Sequence, residues 1–213
     1  MTARVVRDDD AGRAEAVAIL RAGGIVAIPT DTVYGIAADI RVPGAIERLF
    51  AAKNRPPDKA IALLLADVTQ ADVLGVTNAI ARSLAEAFWP GGLTLVLPAR
   101  PGADLPEVLG GGGTVGVRVP DHPSPRALAA AVGPLATTSA NRSGEPEAGT
   151  ADEIIALLGD AIELVLDGGP ARGAPASTVV DTTRDPPRIL RTGAIPAAEV
   201  RRVIAAGQAA VGR

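Results

Sequence analysis

Short apolar runs separated by amphipathic stretches set the rhythm of this chain. Residues 11–22 carry Ala14, Val17, Ala18 and Leu20 at a rough helical period, with Asp10 placed as an N-cap and Gly23 just past the end, which predicts a helix. Residues 25–28, all apolar, have the pattern of a buried strand. A short strand is expected at 36–38. A helix follows over 43–53, where Ile46, Leu49 and Phe50 form an i, i+3, i+4 stripe ahead of the Arg55-Pro56-Pro57 break. The continuous apolar run at 60–65 predicts an inner strand, and 77–89 a helix stopped by Pro90-Gly91-Gly92.

The second half repeats the alternation. Strands are expected at 93–97 and 114–119 around a Pro- and Gly-rich connection, then a helix at 123–132 and a short strand at 135–138. Thr150 and Glu153 have capping-box spacing before Ile154 and Leu157. Strands at 162–166, 177–181 and 188–190 precede a last helix over about 196–206. Strands alternating with helices at irregular spacing predict an α/β fold with a mixed sheet. No internal repeat or linker interrupts it, so residues 1–213 are expected to form one domain.

Composition narrows the possible functions. The apolar fraction of 47% supports a core, yet the chain has four aromatic residues: Tyr34, Phe50, Phe88 and Trp89. Binders of single-stranded nucleic acid rely on aromatic platforms for stacking, and a net charge of −3 gives no general attraction to a polyanion. With no cysteine and one histidine, His122, thiolate chemistry and a His-rich metal centre are excluded. No metal ligands are therefore assigned. No apolar stretch approaches the roughly 20 residues needed to span a bilayer, and residues 1–10 are too polar for a signal peptide. A soluble cytoplasmic protein is expected.

The segment Pro29-Thr30-Asp31-Thr32-Val33-Tyr34-Gly35 leaves the end of a predicted strand, where α/β proteins commonly hold small ligands. Its residue types also suit an ordinary turn. Asp31 should face away from Thr30 and Thr32, in an exposed or structural position. Lys53 and Arg55 either complement a helix C-terminus or clamp a polyphosphate. In 114–119, Thr114, Gly116 and Arg118 share one strand face and Val115, Val117 and Val119 the other. Arg118 either binds an anion or is solvated. Residues 110–113 lack the ending of a P-loop and lead into a strand, so that reading is rejected. His122 is read as structural, at a helix start. The turn over 137–144, rich in hydroxyls and amides and free of acids, could bind phosphate and ribose oxygens.

Taken in order, PTDTVYG, KNRP, PGGLT, VGVRVPDHP, SAN-x-SG, STVVD and the RTG turn resemble the L-threonylcarbamoyladenylate synthase family, the YrdC-like domain, over about residues 11–195. The resemblance implies a twisted mixed sheet flanked by helices, with a concave, positively lined face. It also implies condensation of L-threonine, bicarbonate or CO2, and ATP (with Mg²⁺) to threonylcarbamoyl-AMP and pyrophosphate. That product supplies the threonylcarbamoyladenosine modification of tRNA, through separate transfer proteins. By the same resemblance, Lys53 and Arg55 would hold the phosphates as catalytic groups. Arg118, Thr30 or Thr32, Thr138 and Ser177 would take threonine, and Thr114, Ser139, Asn141 and Arg191 would approach the nucleotide.

Two departures stand out. Where some relatives carry a histidine in the strand after KNRP, this chain has Ile61-Ala62-Leu63-Leu64-Leu65, so threonine recognition must use other groups and Leu64 is not a ligand. Glu147 stands where some relatives have serine, and an acid there is expected to make no nucleotide contact. The chain is expected to be the short form, without a further C-terminal domain. Two alternatives remain at this point: a module binding tRNA or double-stranded RNA on the same concave face by shape and phosphate contacts, and a carbamoyl-adenylate enzyme of the hydrogenase-maturation type. The second normally comes in longer chains with cysteines.

Overall fold

The structure is a computed structural model that describes residues 2–54, 61–103, 105–106, 109, 112–142, 144–171, 173 and 175–211. Its centre is a ten-stranded sheet in the order β1-β8-β2-β3-β7-β4-β6-β5-β9-β10. The strands are β1 (Arg4–Arg7), β2 (Val26–Ile28), β3 (Gly35–Asp39), β4 (Ala62–Leu64), β5 (Leu93–Pro98), β6 (Thr114–Arg118), β7 (Leu135–Ser139), β8 (Leu164–Asp167), β9 (Thr178–Asp181) and β10 (Arg188–Arg191). The pairs β1–β8, β2–β8, β4–β6 and β5–β9 are parallel. The remaining pairs are antiparallel, so the sheet is mixed, as the irregular spacing predicts.

Strand alternation divides the core in two. Ile25, Ala27, Ile36, Leu63, Leu93, Leu95, Val115, Val117 and Val180 point to one face. There they meet α2 (Ala45–Ala52) through Ile46 and Leu49, α4 (Ala79–Phe88) through Leu84, α6 (Ala151–Leu158) through Ile154, and α7 (Ala197–Val211) through Val200. On the opposite face Val26, Ile28, Leu135, Leu164 and Leu166 meet Ala16 and Leu20 of α1 (Asp10–Arg21) and Leu128, Ala129 and Val132 of α5 (Pro123–Val132). Each buried Val, Leu or Ile side chain among these contributes about 1.5–3 kcal/mol. These two helices cover the β1–β4 side of their face. Over β6, β5 and β9 the same face carries Thr94, Val96, Thr114, Gly116, Arg118 and Val179, and it remains open as a concave surface.

Two elements escape the sequence pattern. β1 is an edge strand with largely exposed residues and shows no alternation; parallel pairing with β8 creates it. Helix α3 (Val68–Leu74) is short. Asp67 opens it by accepting from Thr69 N, and Ala71 and Leu74 are buried at an i, i+3 spacing. The boundaries of others shift. Helix α1 is capped by Asp9, whose carboxylate accepts from Gly12 N, and not by Asp10. Helix α2 begins after Gly44, not at Pro43, and β8 begins at Leu164. The capping box at Thr150 forms with a one-residue offset: Thr150 Oγ1 accepts from Glu153 N, while Glu153 reaches back to Gly149 N. His122 caps α5 by accepting from Ser124 N at 3.3 Å.

Candidate active site

A cavity of ≈ 280 Å³ opens on the uncovered part of the sheet. Its floor follows directly from register. Thr137 of β7, Ala62 of β4, Gly116 of β6 and Val96 of β5 stand in one row across four strands. Small side chains in that row lower the floor, while Arg118, Thr94, Ser139 and Arg191 rise around it.

Eight of the eleven residues expected at the site line this cavity. Thr30, Thr32, Arg118 and Ser177 are among them. Thr114, Thr138, Ser139 and Arg191 are the others. Asn141 and Lys53 lie behind Ser139, and Arg55 falls outside the described residues.

Arg118 ends β6 and is almost fully buried. Its fork is already oriented: Nε donates to Gly91 O at 2.9 Å, Nη1 to Thr32 Oγ1 at 3.0 Å and Nη2 to Asp31 Oδ1 at 2.6 Å. Burial pushes the guanidinium below the ordinary arginine value, and the Asp31 carboxylate opposes that shift. Asp31 is thus a structural acid. The turn that carries it is tied internally, since Thr30 Oγ1 donates to Val33 O and accepts from Thr32 N. Both threonines line the cavity. Tyr34 faces the core, where its hydroxyl donates to Gly169 O and accepts from Gly168 N. Burial pushes its pKa up.

The opposite wall comes from the C-terminal third. Ser177 Oγ lies 2.8 Å from Thr94 Oγ1 and accepts from Arg191 Nη2, whose Nε donates to Ser177 O. Thr178 Oγ1 accepts from Gly193 N and Ile195 N and donates to Ile195 O. The RTG turn is thereby pinned to β9. Gly193 fits only because it has no side chain: a Cβ there would fall 1.9 Å from Ala176 O.

Lys53 departs from the sequence expectation. It does not line the cavity; it is fully buried beneath Ser139. Its ammonium donates to Ser139 O, to Ser139 Oγ at 3.3 Å and to Asn141 Oδ1 at 2.8 Å. Ser139 Oγ also donates to Asn141 Oδ1, and Asn141 Nδ2 to Glu145 O. Lys53 therefore organises the SAN turn from below and lends it positive potential. Glu147, expected to make no nucleotide contact because of its charge, is exposed and lines the rim of the same cavity. Thr94 is a cavity residue that the sequence does not single out, although it falls within the predicted strand 93–97. Its position two residues beyond Gly92 on a strand, with Leu93 and Leu95 buried, was the available signal. Leu64, excluded as a ligand, supplies apolar wall.

A ten-stranded mixed sheet with a hydroxyl- and arginine-lined cavity on its open face defines a class of small-molecule-binding α/β domain. The profile of the Sua5/YciO/YrdC family, described as Telomere recombination, matches residues 18–193, and the chain belongs to that family. It is 40% identical over 193 residues to threonylcarbamoyl-AMP synthase of Bacillus subtilis, covering 90% of this chain and 56% of that protein. It is also 40% identical over 170 residues to threonylcarbamoyl-AMP synthase of Chromohalobacter salexigens, covering 79% of this chain and 91% of that one. The crystal structure of Pyrococcus abyssi Sua5 complexed with L-threonine superimposes with a TM-score of 0.87 at 38% identity, over 95% of this chain and 60% of the other. The chain thus spans little more than half the length of the Bacillus relative.

Proposed function

We propose that this chain is an L-threonylcarbamoyladenylate synthase, with residues 1–213 acting as one catalytic domain. The observation that carries the reading is the polarity of the cavity along β6. A buried guanidinium, held by Thr32 Oγ1, the Asp31 carboxylate and Gly91 O, sits at one end, and Thr114 stands at the other, with Ser139 and Arg191 also on the walls. The relatives' names and the threonine-bound Sua5 structure support the same reading. They do not favour the RNA-binding alternative.

In this reading the threonine carboxylate meets Arg118, whose Nη1 and Nη2 each keep one N–H beyond those donated to Thr32 and Asp31. Thr30, Thr32, Thr138 and Ser177 shape that subsite. The amine takes up CO2 as a carbamate, losing a proton to water. A carbamate oxygen attacks the α-phosphorus of ATP, and pyrophosphate leaves. Placement and charge neutralisation supply most of the acceleration, consistent with a chain that has no cysteine and one histidine. Thr114, Ser139 and Arg191 hold the nucleotide, Lys53 and Asn141 act through the SAN turn, and Arg55 neutralises phosphate charge. Mg²⁺ enters as the counter-ion of ATP; among the described residues no three His, Cys, Asp or Glu side chains gather to hold a metal. The product passes to separate tRNA-modifying proteins in the cytoplasm. No helix among the described residues is long and apolar enough to cross a membrane.

The test is incubation with ATP, Mg²⁺, bicarbonate and L-threonine, with mass spectrometry of the products and omission of each component in turn. A threonylcarbamoyl-AMP peak that requires all of them is expected. Its absence from a folded, ATP-binding sample overturns the reading.

A further inference from the structure

Gly116 occupies a position that the fold alone does not explain. It lies in the middle of β6, an interior strand paired on both sides with Ala62 of β4 and Val96 of β5. Glycine weakens such a strand and commonly marks the close approach of a ligand. Its backbone needs no positive φ. A Cβ there would meet Ala62 Cα and Ile61 O at 3.8 Å and Thr94 Cγ2 at 3.9 Å, all ordinary contacts. Gly35, on the same cavity wall, differs: its Cβ would strike Thr137 Cγ2 at 2.8 Å. Packing therefore requires glycine at 35 but not at 116. What a side chain at 116 would occupy is the cavity.

The location within the cavity gives this vacancy a meaning, one that rests on the synthase reading. Thr114, Gly116 and Arg118 share one face of β6. At about 3.3 Å per residue the outer two stand about 13 Å apart, with Gly116 midway. Arg118 belongs to the amino-acid end and Thr114 to the nucleotide end. We infer that Gly116 is a spacing position beneath the junction of the two substrates, left bare so that the carbamate and α-phosphate can meet against the strand backbone. A side chain there would let each substrate occupy its own subsite while holding the reacting atoms apart.

The experiment compares wild type, Gly116→Ala and Gly116→Val for thermal stability, for binding of L-threonine alone and of a non-hydrolysable ATP analogue alone, and for product formation. Both variants are expected to melt at or above the wild-type temperature and to bind each ligand within about threefold. Because displacement of reacting groups by about 1 Å can cost about a hundredfold, product formation should fall about tenfold in G116A and a hundredfold or more in G116V. Should G116V not fold, G116A decides by the same readings. Product formation within threefold of wild type in a folded variant overturns the inference. So does a loss of affinity for either ligand alone that matches the loss of product, because Gly116 would then belong to a single subsite. A wild type that makes no product overturns the synthase reading itself, which separates that failure from the failure of Gly116.

Discussion

Asp31 Oδ1 accepts from Arg118 Nη2 at 2.6 Å, with the two side chains only 10% and 7% exposed. The bond joins the turn after β2 to the end of β6, residues far apart in sequence, and fixes the guanidinium plane before any ligand arrives. Removing one partner strands a buried charge, which costs about 3–5 kcal/mol. Asp31→Ala and Arg118→Ala should each destabilise the chain by an amount in that range. The double variant should lose clearly less than the sum, a coupling of about 2 kcal/mol. Denaturant unfolding at pH 7 measures it; strict additivity would show that the pair is energetically idle. Asp31→Asn should retain the fold but raise the KM for threonine more than that for ATP.

Lys53 should matter for architecture as well as turnover. Lys53→Met would take the charged donor away from Ser139 O and Asn141 Oδ1, which keep only neutral ones such as Asn141 N and Ser139 Oγ, and a hydrogen bond to a charged group contributes about 1.5–3 kcal/mol. At about 2–4 °C per kcal/mol for a chain of this size, calorimetry should show a Tm drop of about 6 °C. Product formation should fall about a hundredfold as the SAN turn loosens. Lys53→Arg should not rescue it, because a planar fork does not match three acceptors grouped around one nitrogen. An unchanged Tm would disprove the role in holding the turn.

Gly193→Ala should damage the nucleotide wall. Its Cβ would collide with Ala176 O at 1.9 Å and Ser177 O at 2.7 Å, forcing apart the contact that seats Arg191 on Ser177. ATP affinity should fall at least tenfold with threonine affinity less affected, by titration of each ligand separately. Equal losses for both would show that the turn serves the whole cavity.

The turn after β9 predicts a pH dependence. Asp181 accepts from Thr183 N and Oγ1 and pairs with Arg184. Partial burial raises its pKa, but these hydrogen bonds and the Arg184 charge outweigh it and hold the carboxyl below the ordinary value. A depressed folded-state pKa means the stabilisation is complete above the unfolded value of about 3.9. It is lost as pH falls through the lower folded value. Asp181→Asn should therefore melt a few degrees below wild type at pH 7, and the two curves should converge once the pH has fallen below the depressed folded-state value. A gap that persists at acid pH would assign the effect to packing.

Much of the architecture is written in local patterns. The apolar runs at β2, β4, β5 and β6 and the caps at Thr150 and His122 are short-range signals that tertiary structure leaves intact. The polar stripe Thr114-Gly116-Arg118 was legible for the same reason, since a period of two survives folding. Partners distant in sequence were not legible. Asp31 looks like a turn acid until β6 brings Arg118 beside it, and Lys53 looks like a surface cation until β7 carries Ser139 over it. That Glu147 reaches the rim of the cavity depends on a loop path that no local pattern carries.

The walls of the cavity are gathered from Thr30 at one end of the sequence to Arg191 at the other. A nascent chain halted at residue 176 would possess the Arg118 end of the pocket but neither Ser177 nor Arg191. Reading from the ribosome, the site closes only when nearly all of the chain has emerged.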